Sequence, residues 1–211
     1  MDRTCRVVPR LRADASRNRD RIVAAARELM VEYGAEVPLD EIARRAGVGN
    51  ATVYRHFADR QELMFQVTLS VVDRVVALAE AAHAEEADAF EALRRFTLGA
   101  AEERMGALCS MLSDSFERHH PEIHASRDRL ERAVTDIMDR ARSSGQLRKD
   151  VAIGDLMVAI AQLTRPLPGT ACVGMDRFVQ RHLHLFLDGL RAPARSELPG
   201  TAITFEELQR V

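Results

Sequence analysis

Tryptophan is absent from this 211-residue sequence, aromatic residues make up only 5% of it, and cysteine occurs three times. Each scarcity removes a class of structure. Strands favour branched and aromatic side chains, so an alanine-rich chain with few aromatics is a poor β-sandwich and a good set of helices. Cys5, Cys109 and Cys172 are odd in number and far apart, which offers neither a disulfide framework nor metal-ligand spacing. Cys109 and Cys172 read as ordinary buried thiols. No run approaches the roughly 18 apolar residues of a membrane span, and the N-terminus lacks the apolar stretch of a secretory signal. A cytoplasmic protein with no membrane partner is expected. A net charge of −2 gives the whole chain no pull on nucleic acid. What remains, 46% hydrophobic residues, is enough to bury a core, and the expected fold class is all-α.

Counted by segment, the charge is uneven. Residues 1–60 hold 12 Arg against 9 Asp plus Glu, and the first 21 carry Arg3, Arg6, Arg10, Arg12, Arg17, Arg19 and Arg21 against three Asp. Residues 1–15 read as a basic arm. Ile22, Ala26, Leu29, Met30 and Tyr33 then form the apolar stripe of a helix starting near Ser16 and stopping at Gly34. Leu39, Ile42, Ala43 and Ala46 repeat the pattern over two turns, entered through Pro38 and left through Gly47. A third short segment, anchored by Ala51, Val53 and Phe57, ends before Asp59.

Asp59 and Glu62 have capping-box spacing and open a long stripe of Leu63, Met64, Val67, Val71, Val75 and Leu78. Further stripes follow at 90–100, 108–112, 123–141, 153–163 and 178–190, giving about nine helices. The expected domains are a reading head over 16–58, a larger helical domain over 59–191, and a tail over 192–211. Thr204-x-x-Glu207 suggests one capped turn within that tail.

Two short helices joined by a Gly-containing turn make the helix-turn-helix pattern, whose second helix enters the DNA major groove. Asn50, Thr52, Tyr54, Arg55 and His56 crowd around few apolar anchors, which suits phosphates and base edges. The competing reading packs Tyr54 and His56 against the first helix. The runs Glu41-Ile42-Ala43-Arg44-Arg45-Ala46-Gly47-Val48, Thr52-Val53-Tyr54-Arg55-His56-Phe57 and Arg60-Gln61-Glu62-Leu63 resemble the TetR family of transcriptional regulators, and Arg12–Ala15 with Arg19–Ile22 is similar to an actinobacterial-type branch of it. Softer echoes lie at Gly145–Val151 and Leu187–Arg191. The resemblance implies Thr52 and Tyr54 against DNA, His56 and Arg60 on flanking phosphates, and Arg44 at the backbone, with Asn50 and Arg55 as base readers. Gly49 and Pro38 replace the Ser or Thr often found there, so a capping hydroxyl that could hold a phosphate is lost.

The resemblance also implies a homodimer on a double-stranded, inverted-repeat operator and a small, largely apolar effector. Met64, Phe65, Phe96, Met105, Met111, Phe116, Met138 and Met157 are the candidate pocket lining, for Met adapts to irregular shapes and interhelical pockets are mostly apolar. Composition alone leaves core and pocket undecided. For the dimer, Leu156 and Ile160 join Phe178, Leu183, Phe186, Gly189 and Leu190, because the last helix is apolar on too many sides for a surface element. His119, His120 and His124, with Glu117 and Glu122, read as a solvated cluster and not a metal site, and His182 and His184 fall on different helix faces. No cofactor is expected, and no nucleophile turn, phosphate loop or paired carboxylate supports catalysis. The competing class is a helical interaction module or an unrecognised helical enzyme.

Overall fold

The computed structural model describes residues 8–34, 36–104, 120–165 and 176–209. These residues form nine helices: α1 (Val8–Tyr33), α2 (Leu39–Ala46), α3 (Asn50–His56), α4 (Arg60–Glu85), α5 (Ala89–Glu102), α6 (Pro121–Ser143), α7 (Ile153–Leu163), α8 (Asp176–Leu190) and α9 (Phe205–Gln209). No strand occurs among the described residues, and one isolated bridge pairs Leu147 with Arg191. The all-α expectation holds. The stripe at 108–112, together with Met105, Met111, Phe116, His119 and all three cysteines, lies outside the described residues.

α1 begins at Val8 and not near Ser16, so residues 8–15 of the expected arm are helical. Pro9 sits in the first turn, where a missing N–H costs no helical bond, and Asp14 pairs with Arg17 one turn on. The helix stops at Gly34, whose φ of 94° and N–H to Met30 O make a left-handed exit.

The chain divides into two compact units, Met1–Ser70 and Val71–Val211, with the division inside α4, past the cap expected at Asp59. That cap is formed all the same. Asp59 accepts from Glu62 N at 2.8 Å, while the Glu62 carboxylate reaches back to Ala58 N at 2.7 Å.

Within the second unit, Val75, Val76, Ala79 and Ala82 of α4, Phe90, Leu93 and Phe96 of α5, and Ile123, Val134, Ile137 and Met138 of α6 are buried, as are Ile160 of α7 and Leu183 of α8. Burying each of the larger side chains contributes about 1.5–3 kcal/mol. Polar ties fix the helices against one another. Ser126 donates to Asp73 at 2.7 Å, and Arg140 donates to the carbonyls of His83 and Glu86 at 2.9 and 2.6 Å. Gln146, after Gly145 at φ 73°, caps α5 by accepting from Phe90 N at 3.1 Å and donating to the N-cap Asp88 at 2.6 Å. Glu91 N and then that amide hold the Asp88 carboxyl below its ordinary range. Thr204 and Glu207 cap α9 reciprocally, at 2.8 Å from Thr204 N to the carboxylate and 3.2 Å from Glu207 N to the hydroxyl.

Candidate nucleic-acid interface

The turn between α2 and α3 is made by the sequence itself. Gly47 has φ 65°, its N–H bonds Arg44 O at 3.1 Å, and Val48 N bonds Ala43 O at 3.0 Å, the paired closure of a Schellman motif. Gly49 then opens α3 with Thr52 N on its carbonyl at 2.8 Å. Neither Pro38 nor Gly49 supplies a side-chain cap, so the front of each helix relies on backbone carbonyls alone. Asp40 and Glu41 in the first turn of α2 and Arg44 and Arg45 in its last complement the helix dipole.

Ile22, Leu29 and Met30 of α1, Ile42 and Ala43 of α2, and Val53 and Phe57 at α3 form the core beneath this turn. Arg45 fastens α2 to α1 through Glu32 at 2.9 Å and Glu28 at 3.4 Å, and the guanidinium holds the Glu32 carboxyl below its ordinary range. Arg19 stacks on the Phe57 ring at 4.6 Å and donates to His56 O at 3.0 Å, closing the far end of α3.

With Val53 its one buried residue, α3 turns a polar face outward. Tyr54 is 57% exposed; Asn50 and Arg55 are exposed beside it, and Thr52 and His56 are half-buried. The Asn50 amide donates to Asp40 at 2.5 Å and Arg55 donates to Thr52 at 3.0 Å, so both candidate base readers are held in place in the free protein. Arg44 is 73% exposed at the edge of the turn, paired with Glu41, whose carboxyl it holds low. Arg60 differs: it is half-buried and donates to Val37 O at 2.7 Å, tying α4 to the loop before α2. Arg44, Asn50, Thr52, Tyr54, Arg55 and His56 are thus exposed or half-buried at the turn and α3, and Arg60 lies half-buried against Val37 O. The pairings of Arg19, Arg45 and Asp40 carry no local signal in the sequence, since Arg19 lies 37 residues from His56, Arg45 lies 13 and 17 from Glu32 and Glu28, and Asp40 lies 10 from Asn50.

Of the expected pocket residues, Phe96, Met138, Met157 and Phe65 are buried and Met64 is half-buried. An open groove of about 540 Å³ lies between α4 and α6, lined by Glu80, His83, Arg129, Arg132, Ala133 and Asp136. Of the expected interface residues, Leu156, Ile160, Leu183 and Leu190 are buried within the protomer itself. They hold α7 and α8 in the core and are not presented to a partner. Phe178 (43% exposed) and Gly189 are exposed and Phe186 is half-buried, joined by Leu185 at 58%. Among the described residues no helix is long and apolar enough to cross a membrane, and no cluster of three or more metal-ligating residues occurs.

Residues 22–67 match the family model of bacterial regulatory proteins, tetR family, and residues 84–192 match that of the SbtR-like transcriptional regulator C-terminal domain. A TetR transcriptional regulator from Streptomyces coelicolor is 30% identical, with a TM-score of 0.64 over 83% of this chain and 99% of that one. A TetR transcription regulatory protein from Mycobacterium vanbaalenii is 31% identical, with a TM-score of 0.61 over 86% of this chain and 99% of the other. An HTH-type transcriptional regulator of Staphylococcus aureus is 43% identical over 58 residues, which cover 27% of this chain and 31% of that relative's length.

Proposed function

The chain belongs to the TetR family of transcriptional regulators, and from that premise we propose that it is a ligand-responsive repressor that binds an inverted-repeat operator as a homodimer. The exposed polar face of α3 carries this reading, with Tyr54 at its centre. A tyrosine left largely in solvent on a seven-residue helix contributes little to the fold, whereas against a base edge or phosphate it offers both a ring and a hydroxyl donor. Asn50 and Arg55 read bases once Asp40 and Thr52 release them, and Arg44 lies on the backbone. Arg3, Arg6, Arg10 and Arg12, preceding or opening α1, extend the contact along a groove.

Dimerisation uses the outward stripe of α8, Phe178, Leu185, Phe186 and Gly189, packed on its symmetry mate beside α7. A small, largely apolar effector seated among the helices of the second unit and touching Val71–Glu85 of α4 changes operator affinity, because α4 continues into the reading unit. A coupling of about 1–3 kcal/mol gives a 5–150-fold loss of affinity. The test is a gel-shift titration on DNA upstream of its own gene, repeated with each compound that raises thermal stability. Specific binding weakened by at least one stabilising compound supports the reading. Binding that no such compound alters removes the ligand-responsive part, and absence of specific binding removes the whole.

A further inference from the structure

The family match ends at residue 192, yet the chain beyond it is closely fitted to α7 and α8. Gly154, in the first turn of α7, donates its N–H to Ile203 O at 2.8 Å. A Cβ built on Gly154 would lie 2.3 Å from that carbonyl oxygen, so backbone meets backbone with no room for a side chain. Asp155, next in line, accepts from Ala152 N at 2.8 Å and Ile203 N at 3.3 Å. Phe205 is buried, anchoring the short α9. On the other side Arg148, whose side chain is 6% exposed, binds Asp150 at 2.6 and 2.8 Å, Gly189 O of α8 at 3.2 Å and Ser196 O of the tail at 2.8 Å. Ala192 N returns to Gln146 O at 2.8 Å. Residues 192–205 therefore run from the end of α8, across the loop before α7, to the first turn of α7.

In the dimer proposed above the outward stripe of α8 packs on its symmetry mate beside α7, so the angle between α7 and α8 sets how that stripe is presented. We infer that residues 192–209 are a brace across the ends of α7 and α8 that sets this angle for self-association, with Arg148, Gly154 and Asp155 as its positioning residues. The inference rests on the dimer reading above. The Arg148 guanidinium serves it by joining α8 and the tail through one rigid fork.

Two full-length variants release the brace from opposite sides. Gly154→Ala drives a methyl into the Ile203 carbonyl while improving the helix propensity of α7, and Phe205→Ser removes the anchor of α9 while leaving the residues of α7 unchanged. Tryptic cleavage after Arg195, whose neighbour Ser196 is held by Arg148, reports release of the tail. Sedimentation equilibrium reports dimerisation. Both variants are expected to cut faster at Arg195 and to raise the dimer dissociation constant at least tenfold. The double variant should be no worse than Phe205→Ser alone, because the clash is already relieved. A wild-type dimer whose dissociation constant is unchanged in both variants, despite faster cleavage, overturns the brace and leaves the dimer reading standing. A wild-type monomer overturns both. Slow cleavage in both variants shows a tail fixed independently of these residues and overturns their positioning role.

Discussion

α3 and α8 are both exposed on one side, and they differ in what that side offers. α3 has seven residues, one of them buried, and an outward face of Asn50, Tyr54 and Arg55. α8 has fifteen, and its outward stripe of Phe178, Leu185 and Phe186 is apolar. A helix held by so little of its own burial must be fixed by its surroundings, here the Gly47 turn and Arg19, and its surface is free to be selected for contact with another molecule. A helix with an apolar outward stripe is incomplete in a different sense, since that stripe favours a second apolar surface. Polar exposure on a small, rigid mount points to nucleic acid, and apolar exposure on a long helix points to a second copy.

The sharpest way to break this contrast is to remove the mount. Phe57→Ala should cost about 3–5 kcal/mol, because the ring is 2% exposed and carries Arg19 on its face. Chemical denaturation would register that loss, and DNA binding would disappear with the fold. Next comes the α8 stripe. Leu185→Arg leaves the protomer core alone, since the side chain is more than half exposed, and should weaken dimerisation by about 2 kcal/mol, roughly thirtyfold. If sedimentation finds the dimer intact, the exposed stripe has some other purpose.

Tyr54→Ala is smaller in stability and specific in function. Thermal melting should move by no more than one or two degrees, while operator affinity falls by about 1–3 kcal/mol. Unfolding of this variant would mean that α3 depends on the ring for its structure. The smallest effect separates two arginines. Arg44→Ala should reduce the log–log salt slope of DNA binding by about 0.9, the contribution of one phosphate, with little change in stability. Arg60→Ala should do the reverse, costing about 1 kcal/mol through the lost bond to Val37 O and leaving the slope unchanged.

That last pair marks where sequence stopped being informative. Helix stripes, the Gly47 exit, the Asp59 cap and the Thr204–Glu207 turn are local, and a period of 3.6 residues or a spacing of three reveals them before any fold is known. Arg60 sits in the same local run as His56, yet it also donates to a carbonyl at position 37, a tertiary tie that motif position does not reveal. Leu156, Ile160, Leu183 and Leu190 show the same limit for apolar residues. A stripe says that a side chain will be buried, and only the packed structure says whether its own chain or a partner buries it. The start of α1 differs because the arginines of residues 8–15 assign them to the arm, although Val8, Leu11 and Ala15 already fall at helical spacing.

The central claim, that the outward face of α3 reads DNA in pairs, is most directly tested by footprinting the wild-type protein on DNA upstream of its own gene. The account predicts two protected half-sites with their centres one duplex turn or a multiple of it apart, on the same face of the helix. A single unpaired footprint, or uniform protection that vanishes with added salt, would contradict it.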